Sequence, residues 1–519
     1  MKNPLVLTFD VGTQSARAML IDTHGEIVAV ARRTYEEPYF SLHPGWAEQK
    51  PDFYFDKLCD ASRELCRENA DKLEDVIAVT ATVIRDTVLC LDENNKPLRD
   101  IILWLDKREA KNDEPYGIIK KLIFKVADME ETAKNQARNS ACNWLMENES
   151  ELWSKTAKYV MLPTYLNYKL TGRLCDTPAN MIGHVPFDYK NRRWMSKSEL
   201  TRCVCDVPQE KLCELIDSGE VIGKISAEIS ELTGIPEGLP LIATGSDKGC
   251  ETLGLSVFKD NQAAVSFGTT ATVQMTTKDY FEPQRFLPAY PAVPNGMYNP
   301  EIQIYRGYWM VSWFVKEFAA AEAVQAKEQG CSVEQVLDSY LDTVPPGCDG
   351  LVLQPYWTPG IANPLAKGGI IGFSDIHTRH HLYRAVIEGI DFALYEALKT
   401  MEKRSGKKID EIFVGGGGSK SKIICQILSD VTGLPVKCIQ THEACGLGAS
   451  MVAFVATGVF ESYDDAIKSM VRVKREFTPN EENHRLYEEI YNDVYVKMYP
   501  KLEPIYKKIR KIYKRRQNA

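Results

Sequence analysis

Four short stretches of this chain carry residue types suited to acid–base and phosphate chemistry. The first is Thr244-Gly245-Ser246-Asp247-Lys248-Gly249. A carboxylate in a tight glycine-flanked turn is a candidate proton acceptor, and a following helix would favour its ionised form through its positive end. Ser246 or Asp247 also sits where a helix N-cap would fall, so a plain cap explains Asp247 equally well. A strand then leads into Ser266-Phe267-Gly268-Thr269-Thr270, a candidate phosphate hairpin. The second stretch, Asp10-Val11-Gly12-Thr13-Gln14-Ser15-Ala16-Arg17, has the same character. Gly12 lets the backbone approach an anion, Thr13 and Ser15 offer hydroxyls, Arg17 offers a cation, and Asp10 can hold Mg²⁺ directly or through water. An ordinary hairpin turn has the same composition.

The third stretch is Glu411-Ile412-Phe413-Val414 feeding Gly415-Gly416-Gly417-Gly418-Ser419 and a helical pattern. Four glycines between a strand and a helix admit a phosphate or ribose edge-on, at the helix end that attracts negative charge. The run is neither a Walker A loop nor G-x-G-x-x-G, and a flexible turn is the alternative. The fourth stretch is a set of polar groups at strand ends: Arg85-Asp86, and Trp104-Leu105-Asp106-Lys107-Arg108. Ligands of open α/β sheets gather at such ends, although a salt bridge at a sheet edge looks the same in sequence. A loop holding Trp46, Glu48 and Gln49 offers an aromatic beside polar groups, as a sugar site does and as surface loops also do.

The elements that must position these groups follow from periodicity. Residues 5–10, 16–21 and 27–32 read as strands, 52–70 as a helix, and 76–80, 87–91 and 101–104 as strands. The segment 115–235 has mostly helical pattern, with a hairpin expected near Gly172 to Asp188. The strand–turn–strand from Gln262 mirrors the hairpin at the start of the chain. His377, His380 and His381 precede an apolar helix from Leu382, and no acidic or thiol partner completes a ligand set by spacing, so a helix start is the reading there.

Bulk properties narrow the class. The 519 residues suffice for two to four domains, with 44% hydrophobic and 26% charged residues. A net charge of −8 argues against a general nucleic-acid binder, and the basic run Lys507 to Arg516 reads as the solvated face of a terminal helix. There is no apolar run of membrane-spanning length and no signal core, so no membrane partner is expected. The 14 cysteines are scattered, with one C-x-C at Cys203 and Cys205, which suits a reducing, cytoplasmic setting better than zinc or disulfides.

Taken together and in this order, DVGTQSAR, GWAEQ, WLDKR, GSDKG, SFGTT and GGGGSKSKIICQILSDVTGLPV resemble the FGGY family of carbohydrate kinases, which includes xylulokinases, ribulokinases and glycerol kinases. Gly368 to Phe373 and Ala385-Val386-Ile387-Glu388 look like its C-terminal signature. The resemblance covers about residues 4 to 480. It implies an α/β fold of two actin-like (ribonuclease H-like) domains around a cleft: residues 1–255 for the substrate, 256–480 for the nucleotide, and 481–519 as a helical extension. It implies ATP and Mg²⁺ as cofactors, with Asp10 at the metal. Gly12, Thr13, Gln14, Arg17, Gly268, Thr269, Gly416, Gly417 and Ser419 would lie at the nucleotide and phosphates. Asp247 would be the base, and Arg85, Asp86, Trp104, Asp106 and Lys248 would join it at the acceptor.

The acceptor residues are mixed. Arg85-Asp86 looks like the Arg-Glu of glycerol kinases, whereas Trp104 to Arg108 looks like the sugar kinases. Lys248 replaces the Asn or Gln usual there, and either binds an acidic or carbonyl oxygen of the substrate or pairs with Asp86. The expected activity is ATP-dependent phosphorylation of a ketose such as a pentulose. Glycerol, a tetritol and the autoinducer-2 kinase substrate are alternatives. A catalytically silent sugar-binding regulator, or an actin- or chaperone-like ATPase, would share the fold. A homodimer is the assembly considered.

Overall fold

The computed structural model describes residues 3–111, 117–126, 129–360 and 363–517. Its centre is a strand buried along its whole length, β1 (Leu5–Val11), whose apolar residues on both faces suit an interior strand covered on both sides. It pairs antiparallel with β2 (Ser15–Asp22), which pairs antiparallel with β3 (Ile27–Thr34). On its other side β1 runs parallel to β4 (Val76–Val83), reached through the amphipathic helix α1 (Phe53–Glu68). β5 (Val221–Lys224) and β6 (Pro240–Ile242) complete a six-stranded sheet in the order β5-β6-β4-β1-β2-β3.

The second half repeats the plan. β7 (Gln262–Phe267), β8 (Ala271–Gln274) and β9 (Glu301–Ile304) form an antiparallel meander. β10 (Glu411–Gly416) lies parallel to β7, β11 (Val436–Ile439) parallel to β10, and β12 (Val473–Phe477) antiparallel at the edge. The order β9-β8-β7-β10-β11-β12 is that of the first sheet, with the antiparallel edge strand now following its neighbour in the chain. The mirrored hairpins seen in the sequence are therefore the equivalent first hairpins of two like sheets.

The two halves share a third core. The helix α2 (Asp247–Gly254) crosses α5 (Ala444–Ala456), and α5 packs on β1 and β4 of the first sheet although it follows β11 of the second. The crossing is close because glycines face each other. A Cβ on Gly254 would lie 2.0 Å from the Ala444 carbonyl oxygen, and one on Gly448 would lie 1.9 Å from that of Cys250. The intervening helices α3 (Arg379–Ser405) and α4 (Lys422–Thr432) belong to the second core. The tail helices α6 (Glu481–Ile490) and α7 (Val496–Gln517) dock on that core too: Tyr487 is buried and donates to Glu388 Oε1 at 2.7 Å. The basic run Lys507 to Arg516 lies on α7.

One expectation for the middle of the first half is corrected. The strands near Gly172 to Asp188 do not pair with each other. Cys175–Asp176 lies parallel to Glu214–Leu215, and Phe187–Asp188 pairs with Arg193–Trp194. Two-residue strands carry no alternation by which the sequence could assign partners. The 101–104 strand is also shorter, Ile101–Ile102, in a small sheet with Glu48–Gln49, Val88–Leu91 and Lys158–Met161. Among the described residues no helix is long and apolar enough to cross a membrane.

Candidate active site

The first hairpin places its polar groups by register. Asp10 on β1 stands opposite Arg17 on β2, and Arg17 Nη1 donates to Asp10 Oδ2 at 2.7 Å. Gly12 N closes the turn on Ser15 O at 3.0 Å, leaving Thr13 and Gln14 at the tip. The Thr13 hydroxyl accepts from Trp104 Nε1 at 3.0 Å, while the Gln14 carbonyl accepts from Tyr35 N. Arg17 Nε lies 3.4 Å from Glu443 Oε2, at the N-terminus of α5, so this arginine joins the two halves.

The second hairpin and the glycine loop form the opposite wall. The carbonyls of Gly268 and Thr269 accept from Tyr308 N (3.1 Å) and Trp309 N (3.3 Å), which anchors the β7–β8 tip from behind and leaves Thr269 exposed. Gly416, at the end of β10 beside Phe267, has φ 78, and a Cβ there would lie 2.8 Å from the Phe267 carbonyl. Only glycine tolerates both constraints. Gly417 has open space where its side chain would be, as a loop that receives a ligand requires. Ser419 is buried, and its hydroxyl donates to Gly416 O at 2.7 Å, bracing the loop.

Between these walls α2 begins. Ser246 is the N-cap, accepting from Gly249 N at 3.3 Å, and this resolves the choice between Ser246 and Asp247 as the cap. Asp247 is the first helical residue; its Oδ1 accepts from Lys248 N at 2.8 Å. Arg85, from the turn after β4, reaches across to the second sheet and donates Nη2 to Glu301 Oε1 at 2.5 Å. The Tyr290 ring lies 5.5 Å from its guanidinium, and its Nη1 is buried with no hydrogen-bond partner among the described residues. Asp86, at φ 52, accepts from His184 N (3.0 Å) and faces His184 Nδ1 at 3.1 Å.

The charges are unevenly matched. Burial pushes the Asp10 carboxyl up to about 6; Arg17 opposes this, and Glu443 and Asp247 add to it. Burial likewise raises Asp247, against Arg85 and Lys248. Burial acts on Asp86 in the same sense, but His184 outweighs it and holds Asp86 below the usual carboxylate range. Glu443 and Asp247 both bear on Asp10, and a divalent cation at Asp10 would offset that negative charge. Among the described residues no three His, Cys, Asp or Glu side chains are grouped to hold a metal alone. The arrangement therefore fits Mg²⁺ that brings most of its ligands as water and phosphate, with Asp10 as a protein carboxylate.

Some expected site residues are engaged elsewhere. Asp106 is closed off: Oδ2 accepts from Ala47 N (2.7 Å) and both oxygens accept from the Arg108 guanidinium at 2.8 Å. It braces the loop of Trp46, whose ring stacks on Arg108 at 4.0 Å, with Glu48 and Gln49 buried beneath. Lys248 pairs with Glu251 Oε2 (2.6 Å) and Ser266 Oγ (2.7 Å), not with Asp86. Burial would lower the Lys248 ammonium, but Glu251 and Asp247 together raise it.

The histidines serve separate contacts. His377 faces Cys348 O, His380 faces Glu322, and His381 caps α3 through Thr378. Cys203 and Cys205 have different partners, Leu200 O and His184 O. Sequence reasoning missed Glu301, Tyr290, His184 and Glu443. A signal existed for Glu301: in Glu301-Ile302-Gln303-Ile304 the isoleucines face the core, so the polar residues must face the cleft.

Two like sheets, two opposed hairpins and a carboxylate at a helix start between them define a two-lobed phosphotransferase. Residues 5–254 match the N-terminal domain of the FGGY family of carbohydrate kinases and residues 263–457 its C-terminal domain. The chain belongs to that family and is a carbohydrate kinase, of a class that uses ATP as phosphate donor. It is 28% identical to the xylulose kinase of Lactococcus lactis subsp. lactis (strain IL1403), over 93% of this chain and 94% of that protein. It is 27% identical to the uncharacterized sugar kinase YgcE of Escherichia coli K12, over 94% and 92%. The crystal structure of xylulose kinase from Rhodospirillum rubrum superposes with TM-score 0.82 at 24% identity, covering 97% of this chain and 99% of that one, so the fold is the two-domain actin-like one.

Proposed function

We propose that this kinase phosphorylates a hydroxyl of a small ketose, a pentulose such as xylulose first among them, with Asp247 as the base. The observation that carries the reading is that Arg85 is the largest charge opposing the burial that raises the Asp247 carboxyl. The carboxylate Oδ1 is oriented by Lys248 N, and the Arg85 guanidinium has a buried nitrogen, Nη1, with no hydrogen-bond partner among the described residues. A carboxylate and an unspent donor that act on each other suit an acceptor hydroxyl and a further oxygen of a polyol or ketose.

The rest of the site divides the remaining work. Asp247 takes the proton of the attacking hydroxyl. Gly12, Thr13, Gln14 and Arg17 on one side, and Gly268 and Thr269 on the other, hold the phosphates through backbone and side-chain donors. Gly416 and Gly417 leave room for the nucleotide, and Ser419 shapes that loop from behind. Asp86, fixed by His184, and Trp104, fixed by Thr13, line the acceptor side. Mg²⁺ carried with the nucleotide would neutralise phosphate charge and would be held at Asp10. Phosphoryl transfer asks for this kind of positioning and charge compensation, and closure of the two lobes excludes water as a competing acceptor.

The domain reading that fits is residues 1–255 for the acceptor, 256–480 for the nucleotide and 481–519 as a helical extension docked on the second. The scattered free cysteines suit a reducing cytoplasm. An ADP-release screen over pentuloses, hexuloses, aldonates, tetritols and glycerol tests the proposal. The expected result is highest kcat/KM with a pentulose. Glycerol or a tetritol as the best acceptor would overturn the ketose reading, and no turnover with any acceptor would favour a silent sugar-binding regulator.

A further inference from the structure

The residue that aims Arg85 belongs to the other half of the molecule. Glu301 opens β9, the edge strand of the second sheet, and its side chain is fully buried. One of its oxygens, Oε1, accepts from Arg85 Nη2 and from Gln303 Nε2; the other, Oε2, accepts from Gln274 Nε2. Gln274 stands opposite Glu301 in the β8–β9 register, and its own carbonyl accepts from the Thr252 hydroxyl on α2. The path therefore closes on the helix that starts with Asp247. It runs from α2 through Thr252, Gln274 and Glu301 to Arg85, and the electrostatics of Arg85 and Asp247 are coupled.

The electrostatics agree with the geometry. Burial alone would raise the Glu301 carboxyl, but Arg85, with Gln303 assisting, holds it below the usual range. A buried carboxylate with three donors is an oriented, ionised group and not a neutral filler. Arg85 is held on one edge by Glu301 and on one face by Tyr290, so its Nη1, buried with no partner among the described residues, has a defined direction. Because Arg85 comes from the first half and Glu301 from the second, this alignment exists only while the lobes are together. Separating them would leave both charges without their partner, which is costly for groups this buried.

We infer that Glu301 is a positioning residue for the acceptor: it sets the direction of Arg85 from across the cleft, so that the acceptor site is complete only when the lobes close. The inference rests on the reading of Arg85 and Asp247 as acceptor-binding residues. It predicts that Glu301 governs acceptor affinity without touching the acceptor.

The test is a double-mutant cycle on the full-length enzyme with its best acceptor. Glu301→Gln is expected to raise the acceptor KM at least tenfold, with kcat reduced less and the KM for ATP within twofold of wild type. Arg85→Gln should raise the acceptor KM by a similar factor, and the double variant should be no worse than Arg85→Gln alone. Glu301→Asp should recover part of the lost affinity. Gln274→Met, which removes one donor from Glu301, should shift the acceptor KM in the same direction by a smaller factor, and it stands in if Glu301→Gln does not fold.

Effects of Glu301→Gln and Arg85→Gln that multiply independently would overturn the positioning role while leaving the acceptor reading intact. So would equal losses in the KM values for acceptor and ATP. An unchanged acceptor KM in Arg85→Gln would instead remove the acceptor reading on which the inference rests, and the inference with it.

Discussion

The Lys248 ammonium lies 2.7 Å from Ser266 Oγ, and this bond joins the helix that begins with Asp247 to the strand that ends in the β7–β8 hairpin. Glu251 closes the triangle: its Oε2 accepts from Lys248 at 2.6 Å and its Oε1 from the Ser266 hydroxyl at 3.0 Å. A Cβ on Gly415 would sit 2.7 Å from Glu251 Oε1, so the strand feeding the glycine loop is shaped to admit this group. Lys248 therefore ties the start of α2 to the end of β7.

This gives Lys248 a different signature from that of a substrate-binding lysine. Lys248→Met is expected to lower kcat by roughly tenfold to a hundredfold, as loss of a charge-assisted buried contact of about 1.5–3 kcal/mol would do. The acceptor KM should change little. Steady-state kinetics over acceptor concentration decide the matter: a large rise in acceptor KM with kcat preserved would return Lys248 to the substrate.

The proposed role of Asp247 as base is tested by Asp247→Asn. The amide keeps the shape of the side chain, so thermal unfolding and nucleotide affinity should match wild type. The transfer rate should fall by about 10²- to 10⁴-fold, the range for loss of a positioned general base. Single-turnover ADP release measures the chemical step directly, and a rate near wild type would take the proton-acceptor role from Asp247.

Much of this site was legible in the chain, and the reason is locality. Asp10, Gly12 and Arg17 lie within one hairpin, and Asp247 within one turn, so each motif carried its own geometry. Glu301 and Arg85 are 216 positions apart. Arg85 stands out as a polar group at a strand end and Glu301 alternates with core isoleucines, but nothing local links the two. Asp106 shows what spacing cannot reveal: it reads as a polar group beyond a strand end, and its oxygens accept from Arg108 and Ala47 N. The doubled sheet could be anticipated from the two mirrored hairpins. The return of α5 onto the first sheet could not, because its small residues signal close packing without saying against what.

The pH dependence follows from the shift of Asp247. Its carboxyl is raised by burial, opposed chiefly by Arg85. If Asp247 is the base it must be ionised to work, so activity should be lost as pH falls through this raised value, and the acid limb of kcat/KM should lie above the ordinary Asp value of about 3.9. Arg85→Ala removes the largest charge holding Asp247 down and should move that limb to higher pH. Asp10, at about 6, is the competing assignment. If Asp10 set the limb, Glu443→Gln would move it to lower pH, because Glu443 raises Asp10, and Arg85→Ala would leave it in place.

The crossing of α2 and α5 sets a steric prediction. At Gly448 an added methyl would meet backbone, 1.9 Å from the Cys250 carbonyl oxygen, and backbone in a packed helix cannot step aside as a side chain can. Gly448→Ala should therefore cost about 3 kcal/mol or more in chemical denaturation, at the severe end for overpacking. An exposed-loop control, Gly238→Ala, meets no atom within 4 Å but has φ 84, so its cost should be confined to backbone strain of about 1 kcal/mol. Equal losses in the two variants would mean that the helix crossing is not tightly packed.

Asp391 offers a stability gain whose size depends on pH. It lies fully buried on α3, and neither carboxyl oxygen has a hydrogen-bond partner among the described residues. Burial, with Glu388 adding to it, raises its pKa well above the ordinary value and so favours the protonated carboxyl in the folded protein. The unfolded chain ionises it above about pH 4, and folding must then take up a proton. Its contribution to stability is accordingly greatest below that pH and declines as pH rises toward the folded-state value. Asp391→Leu removes both the unpaired polar group and this proton uptake, and should stabilise the protein by about 2 kcal/mol near neutral pH. The advantage should shrink as the pH of the unfolding experiment is lowered toward about 4. A variant less stable than wild type at neutral pH, or a difference independent of pH, would show that Asp391 is ionised and paired in the folded state.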